Sequence, residues 1–188
     1  DTLTPDITLY AKALKEFIDA LGIKRICIYG FHTGAIIATE MARLYPELCN
    51  SVVVNGLVVL EPKEEEEILK HYTKWFTPTP EGGHLPWVWA RIREQLIFFP
   101  WFQKEKDFKL DIDLPDPKFL QPYVLDLLRS TAESQTAYQA AFMYPSRDRI
   151  QEINIPTFLL NYAGDPIAEH PKRLKKVSKS IKIELLPD

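Results

Sequence analysis

A histidine occupies the middle of a short stretch bounded by two glycines, Ile28 to Ile37, with the sequence IYGFHTGAII. Its spacing, Gly-x-His-x-Gly, matches Gly-x-Ser-x-Gly, the pattern in which the middle residue is a nucleophile on a sharp turn between a strand and a helix. An imidazole in that position can act as a general base, because it takes up and releases a proton near neutral pH. The stretch therefore predicts chemistry centred on His32.

Three interpretations of His32 remain open from the sequence. In an active enzyme the imidazole is a general base or a group that binds the substrate. In a binding protein it holds a small molecule without turnover. In the third interpretation it is a structural histidine that fills the turn. Thr33 is not expected to be the nucleophile, because the residue after the middle of such a turn points into the helix.

A second group of polar residues follows two other apolar runs. Asp165 follows one run, within Gly164-Asp165-Pro166, and Asn55 follows the run Ser51 to Val54. Ligands of open α/β sheets bind at the carboxyl ends of the strands, so we expect the pocket at that edge of the sheet. An aspartate before a proline is also common in ordinary loops, so this motif has a purely structural interpretation as well.

A third group of candidates lies in the middle of the chain. His84 follows a pair of glycines, which suits a side chain that reaches into a pocket. Trp87 and Arg91 come next at helical spacing, and Arg91 is a candidate for holding a substrate carboxylate. The alternative is that the aromatic residues of this segment form its hydrophobic core.

The elements that must position these residues alternate between helix and strand. Short apolar runs predict strands buried on both faces, as in a parallel sheet, and the order strand–helix–strand predicts a βαβ unit. The predicted elements are a helix with an apolar stripe (Leu9, Ala13, Leu14, Phe17, Ile18, Leu21), a strand from Ile26 to Tyr29, a helix from Ala35 to Leu44, a strand from Ser51 to Val54, helices from Trp87 to Phe99 and from Tyr123 to Tyr144, a strand from Ile153 to Leu160, a basic helix from Pro171 to Ser180 and a strand from Ile181 to Leu186.

Residues 62–150 differ in kind from the segments on either side. They begin with a glutamate run and are helical, aromatic and interrupted by prolines. We therefore predict an α/β core formed by residues 1–61 and 151–188, with residues 62–150 as an inserted helical cap.

The segments GFHTGA, EGGHLPWVWARIREQ and AGDPIAEH resemble a bacterial subgroup of the α/β-hydrolase fold that carries Gly-x-His-Thr-Gly at the nucleophile turn. The resemblance implies a parallel sheet flanked by helices, with an inserted helical cap. It also implies that His32 takes the position of the nucleophile, Asp165 that of the triad acid, and Asn55 that of an alternative acid. The backbone N–H of Thr33 would be an oxyanion donor. The family's first strands and catalytic histidine are not in this sequence, so the resemblance implies an internal fragment.

The composition argues against several classes of function. The chain has 188 residues, of which 46% are hydrophobic, and a net charge of −3, so we expect neither nucleic acid nor an anionic membrane as a partner. No apolar run reaches the roughly 20 residues of a membrane span. Cys27 and Cys49 lie in or beside apolar segments, which predicts free buried thiols and a cytoplasmic protein, and no zinc spacing is present.

The sequence thus predicts a cofactor-independent hydrolase of an ester, C–C or C–X bond, or a lyase derived from one, acting on a small apolar molecule. The alternative is a catalytically degenerate hydrolase fold that serves as a small-molecule-binding or scaffold protein. A partner-interaction module that uses the glutamate run is a third hypothesis, and self-association into a homo-oligomer is left open. The expected catalytic residues are His32 and Asp165, and the expected substrate-binding residues, without any metal, are Thr33, Asn55, His84, Trp87 and Arg91.

Overall fold

The computed structural model describes residues 6–174 and 177–187 and divides the chain into two compact units. One unit, here called the core unit, comprises residues 1–62 and 137–188, and the other, the insertion unit, comprises residues 63–136. The predicted insertion, residues 62–150, contains the whole of the insertion unit. The last part of the predicted insertion, residues 137–150, belongs to the core unit.

The core unit is built on a four-stranded sheet in which every neighbouring pair of strands is parallel. This confirms the predicted fold class. The register pairs Phe31 with Asn55, so that the first two strands end side by side. The strands, which lie in the sheet in chain order, are β1 (Ile26–Phe31), β2 (Cys49–Asn55), β3 (Thr157–Tyr162) and β4 (Ile181–Leu186).

The described residues also form seven helices. They are α1 (Ile7–Ala20), α2 (Thr33–Leu44), α3 (Pro62–His71), α4 (His84–Ile97), α5 (Pro117–Arg129), α6 (Ser134–Phe142) and α7 (Ser146–Arg149). Short 3₁₀ turns occur at Lys106–Phe108, Ile150–Glu152 and His170–Arg173. Among the described residues, no helix is both long and apolar enough to cross a lipid bilayer.

Helix α2 lies close to the sheet because it presents small side chains to the core. Ala35, Ala38 and Ala42 are buried on it, and Ile36 and Met41 fill the space between them. The helix packs against β1 and β2. This packing fixes the start of α2, and with it the turn that carries His32.

Helix α1 forms where the sequence predicts it, but the apolar stripe is only partly buried. Asp6 caps the helix by accepting a hydrogen bond from the Leu9 N–H at 2.7 Å. The buried side chains are Ile7, Ala11 and Ile18, whereas Leu9, Phe17 and Leu21 of the predicted stripe are exposed. An apolar residue on an amphipathic helix is thus not always on its buried face.

The prediction that β1 is buried on both faces is wrong within the described part of the chain. Tyr29 is 61% exposed and Phe31 is 44% exposed, both on the same face of the strand. Cys27 is exposed as well, so the prediction of a buried thiol holds only for Cys49.

Two predicted helices also differ from the structure. The segment from Tyr123 to Tyr144 contains two helices, because α5 ends at Arg129, where Ser130 adopts an extended conformation. The segment from Pro171 to Ser180 contains a 3₁₀ turn that ends at Arg173, and Lys175 and Lys176 lie outside the described residues.

A buried glutamate on α2 ties three segments of the core unit together. Glu40 is 1% exposed, and its carboxylate accepts hydrogen bonds from Thr8 of α1 at 2.7 Å and from Tyr144 at 2.8 Å. Arg43 donates from two of its nitrogens, each at 2.8 Å, and also contacts Glu152 at 3.2 Å. We call these residues the Glu40 network.

Candidate active site

His32 lies on a sharp turn between the end of β1 and the start of α2. Its backbone angles are φ 48° and ψ −112°, and it is the only non-glycine residue with positive φ in the described chain. Few non-glycine residues adopt this conformation, although histidine is among those that adopt it more often. Its carbonyl accepts the first hydrogen bonds of α2, from the N–H groups of Ala35 at 2.9 Å and Ile36 at 3.2 Å.

The two glycines of the motif are not equivalent. A Cβ on Gly30 would lie 2.1 Å from the backbone oxygen of Gly34, so any larger residue there would separate the strand from the helix. A Cβ on Gly34 would have no atom within 4 Å. The close approach of the strand and the helix therefore requires a glycine at position 30 but not at position 34.

The side chain of His32 reaches Asp165, which follows β3. Its Nε2 lies 2.8 Å from Asp165 Oδ2, while Asp165 Oδ1 accepts a hydrogen bond from the Ile167 N–H at 2.9 Å. The Asp165 side chain is fully buried, whereas the His32 side chain is 43% exposed. The two predicted catalytic residues, which lie far apart in sequence, thus form a direct pair.

This contact determines which imidazole nitrogen is available. An ionised carboxylate can only accept hydrogen bonds, so Nε2 carries the proton and donates it to Asp165. Nδ1 then keeps its lone pair, and no described residue donates a hydrogen bond to it. The ring of Phe31 stacks on the imidazole, with centroids 3.9 Å apart and planes at 20°.

The first amides of α2 lie next to this pair. The N–H groups of Thr33 and Gly34 have no acceptor among the described residues, as is usual in the first turn of a helix. Such N–H groups can stabilise a developing oxyanion. The predicted role of Thr33 as an oxyanion donor through its backbone stays a prediction.

Asn55 supports the turn through its backbone. Its carbonyl accepts a hydrogen bond from the His32 N–H at 2.9 Å, and its Nδ2 donates to the Tyr29 hydroxyl at 3.0 Å. Its Oδ1 is buried without a hydrogen-bond partner among the described residues. The structure therefore brings Asn55 beside His32, and its contact with substrate stays a prediction.

The other three candidates lie in the insertion unit and contact residues of that unit. His84 is the first residue of α4; its Nδ1 accepts a hydrogen bond from the Thr79 N–H at 3.2 Å, and its ring stacks on Phe76. Trp87 packs edge-on against Trp101, with centroids 6.3 Å apart.

Arg91 of α4 is 8% exposed, and its guanidinium lies 4.2 Å from the ring centroid of Trp101. The same group donates a hydrogen bond to Gln95 at 2.6 Å. These contacts account for the burial of the charge within the insertion unit. Substrate binding by His84, Trp87 and Arg91 stays a prediction.

Some contacts of the core unit have no distinctive sequence signal. Val59 follows β2 by a few residues, and its N–H donates to His170 Nδ1 at 3.1 Å while its carbonyl accepts from Arg173 at 2.9 Å. The side chains that bind it come from a distant part of the chain. Gly56, which lies next to the imidazole, appears in the sequence only as part of an Asn-Gly turn signal.

Other reactive groups of the core unit are less suited to catalysis. Burial raises the pKa of the Cys49 thiol to about 11, so it is not a thiolate at neutral pH. Within residues 6–174 and 177–187, no three His, Cys, Asp or Glu side chains are grouped in a way that would hold a metal ion.

Comparison with known proteins identifies the family to which this fold belongs. The model of the α/β-hydrolase fold family matches residues 4–184. No curated protein matches the chain. Among solved structures, the α/β-hydrolase MGS-M2 from a Medee basin deep-sea metagenome library has 17% identity and a TM-score of 0.67, over 100% of this chain and 66% of that one.

Two further structures are similar at the level of the fold. A thermophilic esterase from Thermogutta terrifontis has 17% identity and a TM-score of 0.62, over 98% of this chain and 64% of that one. A meta-cleavage product hydrolase from Pseudomonas fluorescens IP01 has 12% identity and a TM-score of 0.62, over 100% of this chain and 65% of that one. The chain thus spans less than two thirds of the length of each.

Proposed function

The chain belongs to the α/β-hydrolase fold family, and from this premise we propose that it contributes the catalytic dyad of a cofactor-independent hydrolase of small apolar esters. The observation that carries the proposal is the contact of 2.8 Å between His32 Nε2 and Asp165 Oδ2. It joins a half-exposed imidazole to a buried carboxylate, which is the arrangement of a general base and its orienting acid.

In this proposal the nucleophile is water and His32 is the base. Nδ1 removes a proton from a water molecule while the water oxygen attacks the ester carbonyl, and Asp165 stabilises the imidazolium that forms. The carbonyl oxygen becomes an oxyanion, which the N–H of Thr33 stabilises. The imidazolium then returns the proton to the leaving alkoxide, and the products are a carboxylic acid and an alcohol.

This route avoids a difficulty that arises if the imidazole itself attacks. An acyl-imidazole is labile, and the imidazole is longer than the serine side chain for which the turn is normally built. General-base catalysis requires only that a water molecule fit between Nδ1 and the carbonyl carbon. The exposed aromatic ring of Phe31, which stacks on His32, favours an apolar group next to the reacting bond.

The first test is hydrolysis of p-nitrophenyl esters of increasing acyl length by the purified protein and by His32→Ala. We expect the loss of the base to reduce kcat/KM by roughly 10²- to 10⁴-fold. A matched control is His71→Ala, because His71 also lies near a carboxylate, Glu67 at 3.7 Å, but on α3 in the insertion unit.

The outcomes separate the two candidate functions. Turnover that disappears in His32→Ala and survives in His71→Ala supports the hydrolase. Turnover that is equal in all three proteins contradicts the role of His32. If no ester is hydrolysed but one of them binds to the wild type and not to His32→Ala, the protein is the ligand-binding alternative.

A further inference from the structure

We propose that Gly56 is a positioning residue for the dyad, because the space left by its missing side chain is where the His32 imidazole lies. A Cβ at position 56 would lie 2.3 Å from His32 Cδ2 and 2.9 Å from His32 Nε2. Carbon atoms that are not bonded to each other do not approach so closely. The ring can therefore reach Asp165 only while position 56 is glycine.

The location of Gly56 is fixed independently of the His32 side chain. Its N–H donates to the Leu160 carbonyl at 3.0 Å, which ties the end of β2 to β3. The residue is buried and has φ +71°, a conformation that favours glycine. Since the backbone is held by the sheet, an added methyl group would displace the ring and not the chain.

A displaced ring would lose the hydrogen bond that sets its tautomer. The same added Cβ would lie 3.3 Å from Asp165 Oδ2, so the new methyl group would lie close to both members of the pair. Without the carboxylate the imidazole proton is no longer confined to Nε2, and Nδ1 is a free base for only part of the time. The catalytic consequence of Gly56 rests on the proposed function, but its effect on the ring does not.

The test compares Gly56→Ala with Gly22→Ala in the purified protein. Gly22 is a matched control, because its φ is +70° and an added Cβ there would have no atom within 4 Å. Both variants acquire the same backbone strain, so any larger loss in the denaturation midpoint of Gly56→Ala comes from the contact with the imidazole. Only Gly56→Ala adds a contact with the imidazole.

The decisive readout is the ¹⁵N NMR spectrum of the His32 ring. In the wild type and in Gly22→Ala we expect one protonated and one unprotonated nitrogen, with well-separated shifts. In Gly56→Ala the two shifts should move toward each other as the tautomers exchange. If the protein is a hydrolase, kcat should also fall by about 10²-fold with little change in KM. Unchanged His32 signals in Gly56→Ala would overturn the proposal.

A double variant keeps the test decisive if Gly56→Ala does not fold. In His32→Ala/Gly56→Ala the ring is absent, so adding the methyl group should cost no more stability than Gly22→Ala does. A double variant that also fails to fold, while His32→Ala and Gly22→Ala fold, would show that Gly56 is needed for another reason. If the ring signals respond as expected but no ester is hydrolysed, the positioning role stands and the hydrolase proposal fails.

Discussion

Two buried carboxylates of the core unit have differently arranged hydrogen bonds. Glu40 lies on α2, and Asp165 contacts His32, the residue that precedes α2. Glu40 accepts hydrogen bonds from the side chains of Thr8, Arg43 and Tyr144, so both oxygens are bonded to donors inside the protein. Asp165 accepts from the Ile167 N–H and from His32, and the latter has a second nitrogen without a partner in the described residues. The Glu40 network has no group left over for a reaction, whereas the dyad has one.

The surroundings of Glu40 confirm that its charge is well stabilised. Burial alone raises the pKa of this carboxyl group, but hydrogen bonds from Arg43, Thr8 and Tyr144 outweigh that effect and lower the pKa to about 2. Burial and the adjacent Glu40 charge together raise the pKa of the Tyr144 hydroxyl. These shifts keep one donor and one acceptor in fixed protonation states, which suits a structural network.

The most direct test of this difference replaces Asp165, the hydrogen-bond acceptor of the dyad. In Asp165→Asn, the amide oxygen should keep the hydrogen bond to the Ile167 N–H, so the amide nitrogen faces His32 Nε2. That nitrogen donates, which forces the imidazole proton onto Nδ1 and removes the base. We expect kcat to fall by about 10⁴-fold, measured with the best ester substrate.

The control for this variant is Asp19→Asn, which removes an exposed contact between Asp19 and Lys15 on α1. It should leave the activity unchanged. If Asp165→Asn retains wild-type kcat, Asp165 does not set the tautomer of the His32 imidazole. The contact between His32 and Asp165 would then be structural, like those of the Glu40 network.

The second change acts on the other carboxylate. In Arg43→Met the apolar stem is kept but Glu40 loses its cation, which leaves a negative charge buried beside two hydroxyl groups. We expect a loss of about 3 to 5 kcal/mol in the free energy of unfolding, measured with urea, and no change in kcat of the folded protein.

Arg149→Met is the matched control for Arg43→Met. Arg149 lies 3.0 Å from Glu152, but both side chains are partly exposed, so we expect a loss below about 1 kcal/mol. Equal losses in the two variants would mean that the burial of Glu40 adds nothing to the strength of its ion pair.

The smallest expected effect is on the dependence of stability on pH. The pKa of Glu40 is about 2 in the folded protein, below the ordinary value of 4.5 for a glutamate, so the folded state favours the ionised form. The stabilisation is therefore fully present above pH 4.5 and is lost as the pH falls toward 2. We expect this carboxyl group to account for about 3 kcal/mol.

Urea titrations of the wild type and Glu40→Gln between neutral and acid pH measure this term. The difference in unfolding free energy between the two proteins should shrink as the pH falls. A constant difference would contradict the low pKa of Glu40 in the folded protein.

The parts of the fold that depend on local pattern were predictable. The strand from Ile181 to Leu186 has the bounds predicted from its apolar run, and the glycine-bounded turn identified the residue with positive φ. Both signals come from residues adjacent in sequence. The same reasoning predicted that Asp165 would lie at the carboxyl edge of the sheet, because it follows a strand.

Features that depend on distant contacts were not predictable in this way. Gly30 and Gly34 look alike in the motif, yet only at Gly30 would an added Cβ meet backbone atoms. Nothing in the sequence shows that Glu40 meets Thr8 and Tyr144, because these partners come from different segments. The break after Arg129 was missed because apolar residues continue at helical spacing on both sides of it.

The backbone of His32 also has a consequence for how this protein evolves or is engineered. A glycine would adopt φ 48° without strain, whereas histidine holds it at a cost of about 1 to 2 kcal/mol. Selection for thermal stability alone would favour glycine at position 32. In the proposed hydrolase, the imidazole at this position would be retained at a cost in stability, so a stabilised variant of the protein should be sought by changing other positions.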